Sequence, residues 1–218
     1  VDYSEGINLA GRGSLNFSGQ YLYQEATDRG GLDTRPLLYS SLPSKNGCEC
    51  EGDFQKRFAD LKNKDNLLAS AAGFDRYDMR VGNPESSNGG FLMNGQFALL
   101  KNLEVYLTAG YSLRAGESAG FSRLPGELGQ TDPGMYPKGF LPLINTANQD
   151  LSVASGFRGK LGLWNYDLSH ITGKNKIGFH LSQSLNASLP LGTSPYNFNT
   201  GELYFRQNTS NLDVSRNY

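Results

Sequence analysis

Apolar and polar side chains alternate along this chain in runs, and the connections between runs are by turns short and long. From Ser14, the residues Leu15, Phe17, Gly19, Tyr21 and Tyr23 fall on one face of an extended segment. Asn16, Ser18, Gln20, Leu22 and Gln24 fall on the other, and only Leu22 spoils the polar side. Such a period of two is the signature of a β-strand with one face toward an apolar medium. Phe91, Met93, Gly95, Phe97 and Leu99 repeat the pattern against Leu92, Asn94, Gln96 and Ala98. After Lys101-Asn102 it resumes with Leu103, Val105, Leu107, Ala109 and Tyr111 against Glu104, Tyr106, Thr108, Gly110 and Ser112. Two alternating runs across so short a break predict a hairpin.

A second hairpin is expected where Val153, Ser155, Phe157, Gly159 and Leu161 alternate with Ala154, Gly156, Arg158 and Lys160. Its turn falls near Leu163 to Asn165, and Tyr166, Leu168 and His170 continue beyond it. Val1 to Ile7 reads as a further strand, joined to the Ser14 run by a turn at Asn8–Gly13. The long connections run from about Thr27 to Gly89, Ala115 to Leu151 and Gln183 to Gly201. Short turns at one end and long loops at the other are the habit of outer-membrane barrels. Trp164, at a short turn, stands where an interfacial aromatic girdle belongs. Loops this long are uncommon in compact domains unless they serve a function.

Composition supports an all-β chain. The 218 residues are only 38% hydrophobic, yet contain 27 Gly, 12 Tyr and 12 Phe, a mixture suited to strands and turns. No apolar run approaches the roughly 18 residues that a membrane helix needs. A chain like this meets a membrane only as a barrel, because only helices and closed barrels satisfy their backbone groups in lipid. The net charge of −1 and the lack of a basic cluster exclude a nucleic-acid partner and disfavour a strongly anionic ligand. No signal peptide opens the chain at Val1. A soluble β-sandwich with one wet face shows the same alternation, so a carbohydrate-binding sandwich stays open as an alternative.

The first long loop has contents of its own. Phe54, Phe58 and Leu61 are at helical spacing after Asp53, predicting a short amphipathic helix near 53–63 over the barrel mouth. Asp53 is its expected N-cap, and Gly73 is placed to end the segment. Cys48 and Cys50 lie just upstream, as free thiols or as one strained disulfide. A metal site there would need more ligands, and His170 and His180 are far away in sequence. No nucleophile, zinc or phosphate-loop motif appears, so no catalytic residue, metal or cofactor is expected. Glu49 and Glu51 read as solvated loop charges. The loop aromatics Tyr136, Phe140, Tyr196 and Phe198 either stack on a ligand such as a sugar or pack the loops on one another. If the strands wall a barrel, Asn94, Gln96, Glu104, Thr108, Arg158 and Lys160 face its lumen.

Four blocks resemble the barrel of TonB-dependent outer-membrane receptors of the Bacteroidetes type. They are LNFSGQYLYQEATDRGGLDTRP (Leu15 to Pro36), RVGNPESSNGGFLMNGQFAL (Arg80 to Leu99), LEVYLTAGYSLRAGESAGFSR with the later YPKGFLPLIN (Leu103 to Arg123, Tyr136 to Asn145), and the terminal SLNASL with SPYNFNTGELYFRQNTSNLDVSRNY. They stand in the family's order, although Asn83 occupies a position where members often carry Asp. The insert from about Leu38 to Leu68, with its cysteines, does not resemble the family. The resemblance implies a 22-stranded barrel around an N-terminal plug, energised by the periplasmic TonB complex. The nutrient taken up would be a siderophore, vitamin, glycan or peptide. It further implies that residues 1–218 are an incomplete wall of about seven strands, the plug and the remaining barrel of the same protein lying elsewhere. A Gram-negative outer membrane, its lipid, and a surface lipoprotein as possible partner follow from the same resemblance. A non-transporting structural or adhesive barrel is the alternative within that architecture.

Overall fold

A computed structural model describes residues 1–47 and 49–216. They form one antiparallel sheet of 7 strands in the order of the sequence. The strands are β1 (Asp2–Asn8), β2 (Gly13–Gln24), β3 (Glu85–Leu100), β4 (Leu103–Ala119), β5 (Leu143–Leu161), β6 (Trp164–Ser182) and β7 (Phe198–Arg216). One helix, α1 (Glu51–Ala72), lies in the connection from β2 to β3. The all-β class read from the sequence is what the chain adopts. The sheet is open, with β1 and β7 as its two edges.

Turn chemistry fixes two of the three hairpins at the short-connection end. Between β1 and β2, Ala10 and Gly11 both take positive φ, 53° and 73°. The Arg12 N–H closes onto the Leu9 carbonyl at 3.1 Å, and the Asn8 side chain accepts from the Gly11 N–H at 2.8 Å. That is the primed turn whose twist suits a hairpin. Between β5 and β6 the turn is Gly162-Leu163, with Gly162 at φ 62°, and Leu161 pairs with Trp164. The turn ends are staggered across the sheet. Gly13 of β2 pairs with Phe97, and β3 runs on to Leu100; Leu103 of β4 pairs with Gly159, and β5 runs on to Leu161.

The strands are longer than the alternation predicts, and the loops correspondingly shorter. β5, β6 and β7 have 19 residues each, and the long connections shrink to 25–84, 120–142 and 183–197. The extra length carries no clear apolar alternation, because at the loop end both faces become polar or mixed. Glu117 pairs with Asn145, and Asn145 with His180. The backbone ladder continues where the hydrophobic signal stops.

The helix also exceeds its expected bounds. It has 22 residues, its N-cap is Cys50 rather than Asp53, and Asp53 sits in the first turn. There its negative charge favours the positive end of the helix dipole. Gly73 ends it in the left-handed conformation (φ 63°, ψ 46°), donating its N–H to the last turn. The expected stripe of Phe54, Phe58 and Leu61 is half-buried and continues through the buried Asp65 and Ala69. α1 packs against none of the strands. Its buried face meets the loops.

The core lies away from the sheet. Leu38, Ala69 and Leu124 form the buried cluster, with Tyr39 and Phe74 against it. The buried polar groups Asp33, Asp65, Thr131 and Asp132 also belong to the helix and loops. Leu107, Tyr111, Phe157 and Leu168 on the strands are all exposed, and no second layer of described residues covers them.

Candidate functional site

Strand register sorts the strand side chains onto two faces. One carries Leu15, Phe17, Tyr21 and Tyr23 of β2, Phe91, Met93 and Phe97 of β3, Val105, Leu107, Tyr111 and Leu113 of β4, and Leu151, Val153 and Phe157 of β5. On β6 and β7 it retains a run of apolar side chains only near the turn, at Trp164, Tyr166, Leu168, Leu212 and Val214, with Tyr204 alone nearer the loops. The upper limit of the apolar zone therefore descends obliquely from β2 to β7. The stagger of the turn ends runs in the same sense.

The opposite face is polar near the turns, whereas nearer the loops on β6 and β7 it carries Ile171, Ile177, Leu203 and Phe205. All six residues expected in a lumen, Asn94, Gln96, Glu104, Thr108, Arg158 and Lys160, share it. Arg158 joins three strands. Its Nε donates to Glu104 at 2.7 Å, its Nη2 donates to Gln96 at 2.9 Å, and its guanidinium lies 5.4 Å from the centre of the Tyr106 ring. Tyr106 donates its hydroxyl to Asp167 at 2.7 Å, and Asn16 donates to Asn94 at 3.1 Å. Tyr106, Asp167 and Asn16 were missed as site residues. Their alternation was visible, but cross-strand adjacency depends on register. Nearer the loops, Asn175 bridges Asn148 at 2.9 Å and Asp150 at 2.6 Å, and Arg114 donates to Asn88 at 2.6 Å. Between the two networks runs a groove of about 830 Å³, floored by Gly90, Gly110, Ser152 and Gly173.

The three long loops fold together as a cap. The buried carboxylate of Asp65 accepts the Leu38 and Tyr39 N–H groups at 2.7 and 2.8 Å, tying α1 to the first loop. Gly126 donates to the Leu38 carbonyl at 2.9 Å, and Arg35 to the Ser122 carbonyl at 3.2 Å. Asp33 holds Arg35 in a two-point ion pair. Burial alone would raise the Asp33 carboxyl, but its contacts with Arg35 keep it below its ordinary value. Asp132 accepts the Gly134 and Gly192 N–H groups at 2.9 and 2.6 Å. Those backbone donors, Gly192 foremost, hold its carboxyl below the usual range. Glu49 is not a free loop charge. Arg57 grips it at 2.7 Å and, with the Asn46 N–H, pushes its pKa down to about 2.

Three of the four loop aromatics meet. Tyr136 stacks on Phe140 with ring centres 4.3 Å apart and meets Tyr196 edge-on at 5.6 Å, and its hydroxyl donates to the Ser184 carbonyl at 3.1 Å. They fasten loop 120–142 to loop 183–197, which is the packing role rather than an open stacking platform. Phe198 is the first residue of β7 and not a loop residue. Among the described residues Cys50 carries a free, exposed thiol that donates to Asp53 at 2.8 Å. Cys48 lies outside the described residues, and with it any pairing of the two. Among the described residues there is no cluster of metal-ligating side chains, and no helix is long and apolar enough to cross a membrane.

No protein-family model matches the chain, and neither a curated protein nor a solved structure is similar to it.

Proposed function

We propose that the chain is part of the wall of an outer-membrane β-barrel receptor that takes up a nutrient. In this reading the apolar face meets lipid, the polar face lines the lumen, and the loop cap faces outside. The edges β1 and β7 pair with further strands of the same protein. An open edge would leave backbone groups unsatisfied in lipid. Uptake energised through a plug and the TonB complex, as the four sequence blocks suggest, is the transport mode that fits this wall.

The observation that carries the proposal is the oblique lower zone of exposed apolar side chains. Barrel strands tilt by about 35–45° from the membrane normal. A level band of lipid therefore crosses hydrogen-bonded rows at an angle, just as this apolar limit does. Tyr21 and Tyr23 at its upper limit on β2, and Trp164 and Tyr166 near the turn of β6, stand where aromatic girdles form. Strands β3 to β7, at 16 to 19 residues, outrun the roughly 9–11 residues needed to span lipid, which leaves their loop ends free to hold the cap above the membrane.

The test uses the full-length protein in bilayers of brominated phosphatidylcholine. Tryptophan fluorescence is compared for Leu107→Trp and Thr108→Trp, neighbours on opposite faces. The expected result is strong quenching added at 107 and little at 108. Equal quenching at both, or none at either, overturns the wall. Quenching as expected, with loss of the protein leaving uptake of every nutrient class unchanged, would instead establish a non-transporting barrel.

A further inference from the structure

The apolar face changes character along a single hydrogen-bonded row. Tyr3, Gly19, Phe91, Tyr111 and Leu151 stand side by side on β1 to β5. The same row continues as Lys174 on β6 and Arg206 on β7. One row nearer the loops, Lys176 stands between Gln149 and Tyr204. Three cations are thus gathered beside Leu151, where the apolar zone ends on β5.

Their neutralisation is incomplete. Lys176 pairs with Glu202 at 2.8 Å, and register places no other acid on this face of β5, β6 or β7. Lys174 and Arg206 are exposed and make no ion pair or side-chain hydrogen bond among the described residues. As direct cross-strand partners their Cβ atoms are about 5 Å apart, and like charges so placed repel. Toward the turns, a polar shelf separates them from Leu168 and Leu212. His170 meets Ser210 at 2.9 Å, and Thr172 donates to Asn208 at 2.8 Å.

We propose that Lys174, Arg206 and Lys176 form a site for the phosphate groups of membrane lipid headgroups. The proposal rests on the barrel-wall reading above. An Arg fork and two Lys ammoniums match a phosphate's several oxygens and charge. The polar shelf offers partners to the headgroup's hydroxyl or amide groups. A dissolved anion would gain little from so exposed a pair, because salt screens it. A lipid phosphate is tethered by acyl chains lying on Leu151, Leu168 and Leu212, so its second contact is effectively intramolecular.

The test uses the full-length protein in an uncharged maltoside detergent, read by native mass spectrometry and thermal melting. The probes are lipid A bearing two phosphates, phosphatase-treated lipid A, and inorganic phosphate. Diphosphorylated lipid A is expected to be retained and to raise Tm, and the other two are expected to do neither. Combining Lys174→Gln with Arg206→Gln should lower retention at least tenfold. In lipid-free detergent the same variant should melt no lower than the wild type, since the repulsion is gone. Undiminished retention by the variant, an equal response to dephosphorylated lipid A, or an equal response to inorganic phosphate would each overturn the proposal. If lipid A is not retained while brominated lipid still quenches Leu107→Trp, the phosphate site falls and the barrel wall stands. If that quenching fails too, the wall falls with it.

Discussion

Gly156 is the one buried strand residue among those described, and a missing methyl group accounts for it. A Cβ at this position would lie 2.5 Å from the Tyr106 ring and 2.8 Å from the Leu168 carbonyl. Tyr106 is thereby free to lie across β5, face Arg158 and donate to Asp167. Gly156→Ala should displace the ring and break that hydrogen bond, at a cost of about 1–3 kcal/mol. Removing the ring as well, by Tyr106→Ala in the same chain, should recover only part of that loss, because the Leu168 carbonyl still stands 2.8 Å from the added methyl group. Denaturant midpoints for the single and double variants test this. Additive losses would mean that the backbone rather than the ring resists the methyl group. Position 156 was legible as a polar-face position in β5, but its need for glycine was not, because that need arises from a residue 50 positions earlier, brought alongside by register.

Loops become an element of structure here because buried acceptors join them. Asp132 ties loop 120–142 to Gly192 in loop 183–197. Its folded carboxyl lies below its ordinary value of 3.8. The contribution of this contact is therefore complete above that value and is lost as pH falls through the depressed one. Backbone exchange at 188–194, corrected for intrinsic rate, should quicken as pH falls below the ordinary carboxyl value of 3.8. Asp132→Ala should already be fast at neutral pH and show no such step, and an unchanged step would assign the acid sensitivity elsewhere. The sequence foretold these loops as long and functional but not as joined. Tyr136, Phe140 and Tyr196 were visible as aromatics, and their mutual packing was one of two readings. Helix α1 was half legible. The stripe Phe54, Phe58, Leu61 announced it, but its second half turns on Asp65, a carboxylate in an otherwise apolar stripe. Only its acceptance of two backbone N–H groups makes that residue a helix anchor rather than a helix end.

At the scale of the whole molecule, the sheet inverts the usual arrangement, with a buried core in the cap and exposed apolar side chains on the strands. A soluble protein rarely leaves so large an apolar face open, so something must cover it, either lipid or another protein layer. Leu107 and Thr108 separate these cases. They are consecutive on β4, and their side chains point to opposite faces. In a barrel wall, Leu107→Arg places a cation against the hydrocarbon and should cost about 2–4 kcal/mol if it lies near the midplane, falling to about 0–1 near the interface. Thr108→Arg projects into a wet, polar groove lined by Asn94, Gln96 and Arg158 and should cost under about 0.5 kcal/mol. The dependence on depth is what a protein layer cannot imitate. Moving the arginine along the same face, from Leu107 to Leu113 near the upper limit of the apolar zone, should shrink the penalty steadily in bilayers. Shortening the lipid acyl chains should shrink it further at Leu113 first. Refolding equilibria in vesicles of two thicknesses measure both trends. A penalty at Leu107 and Leu113 that ignores acyl-chain length would mean that the face is covered by protein, and the sheet would then be half of a sandwich rather than the wall of a barrel.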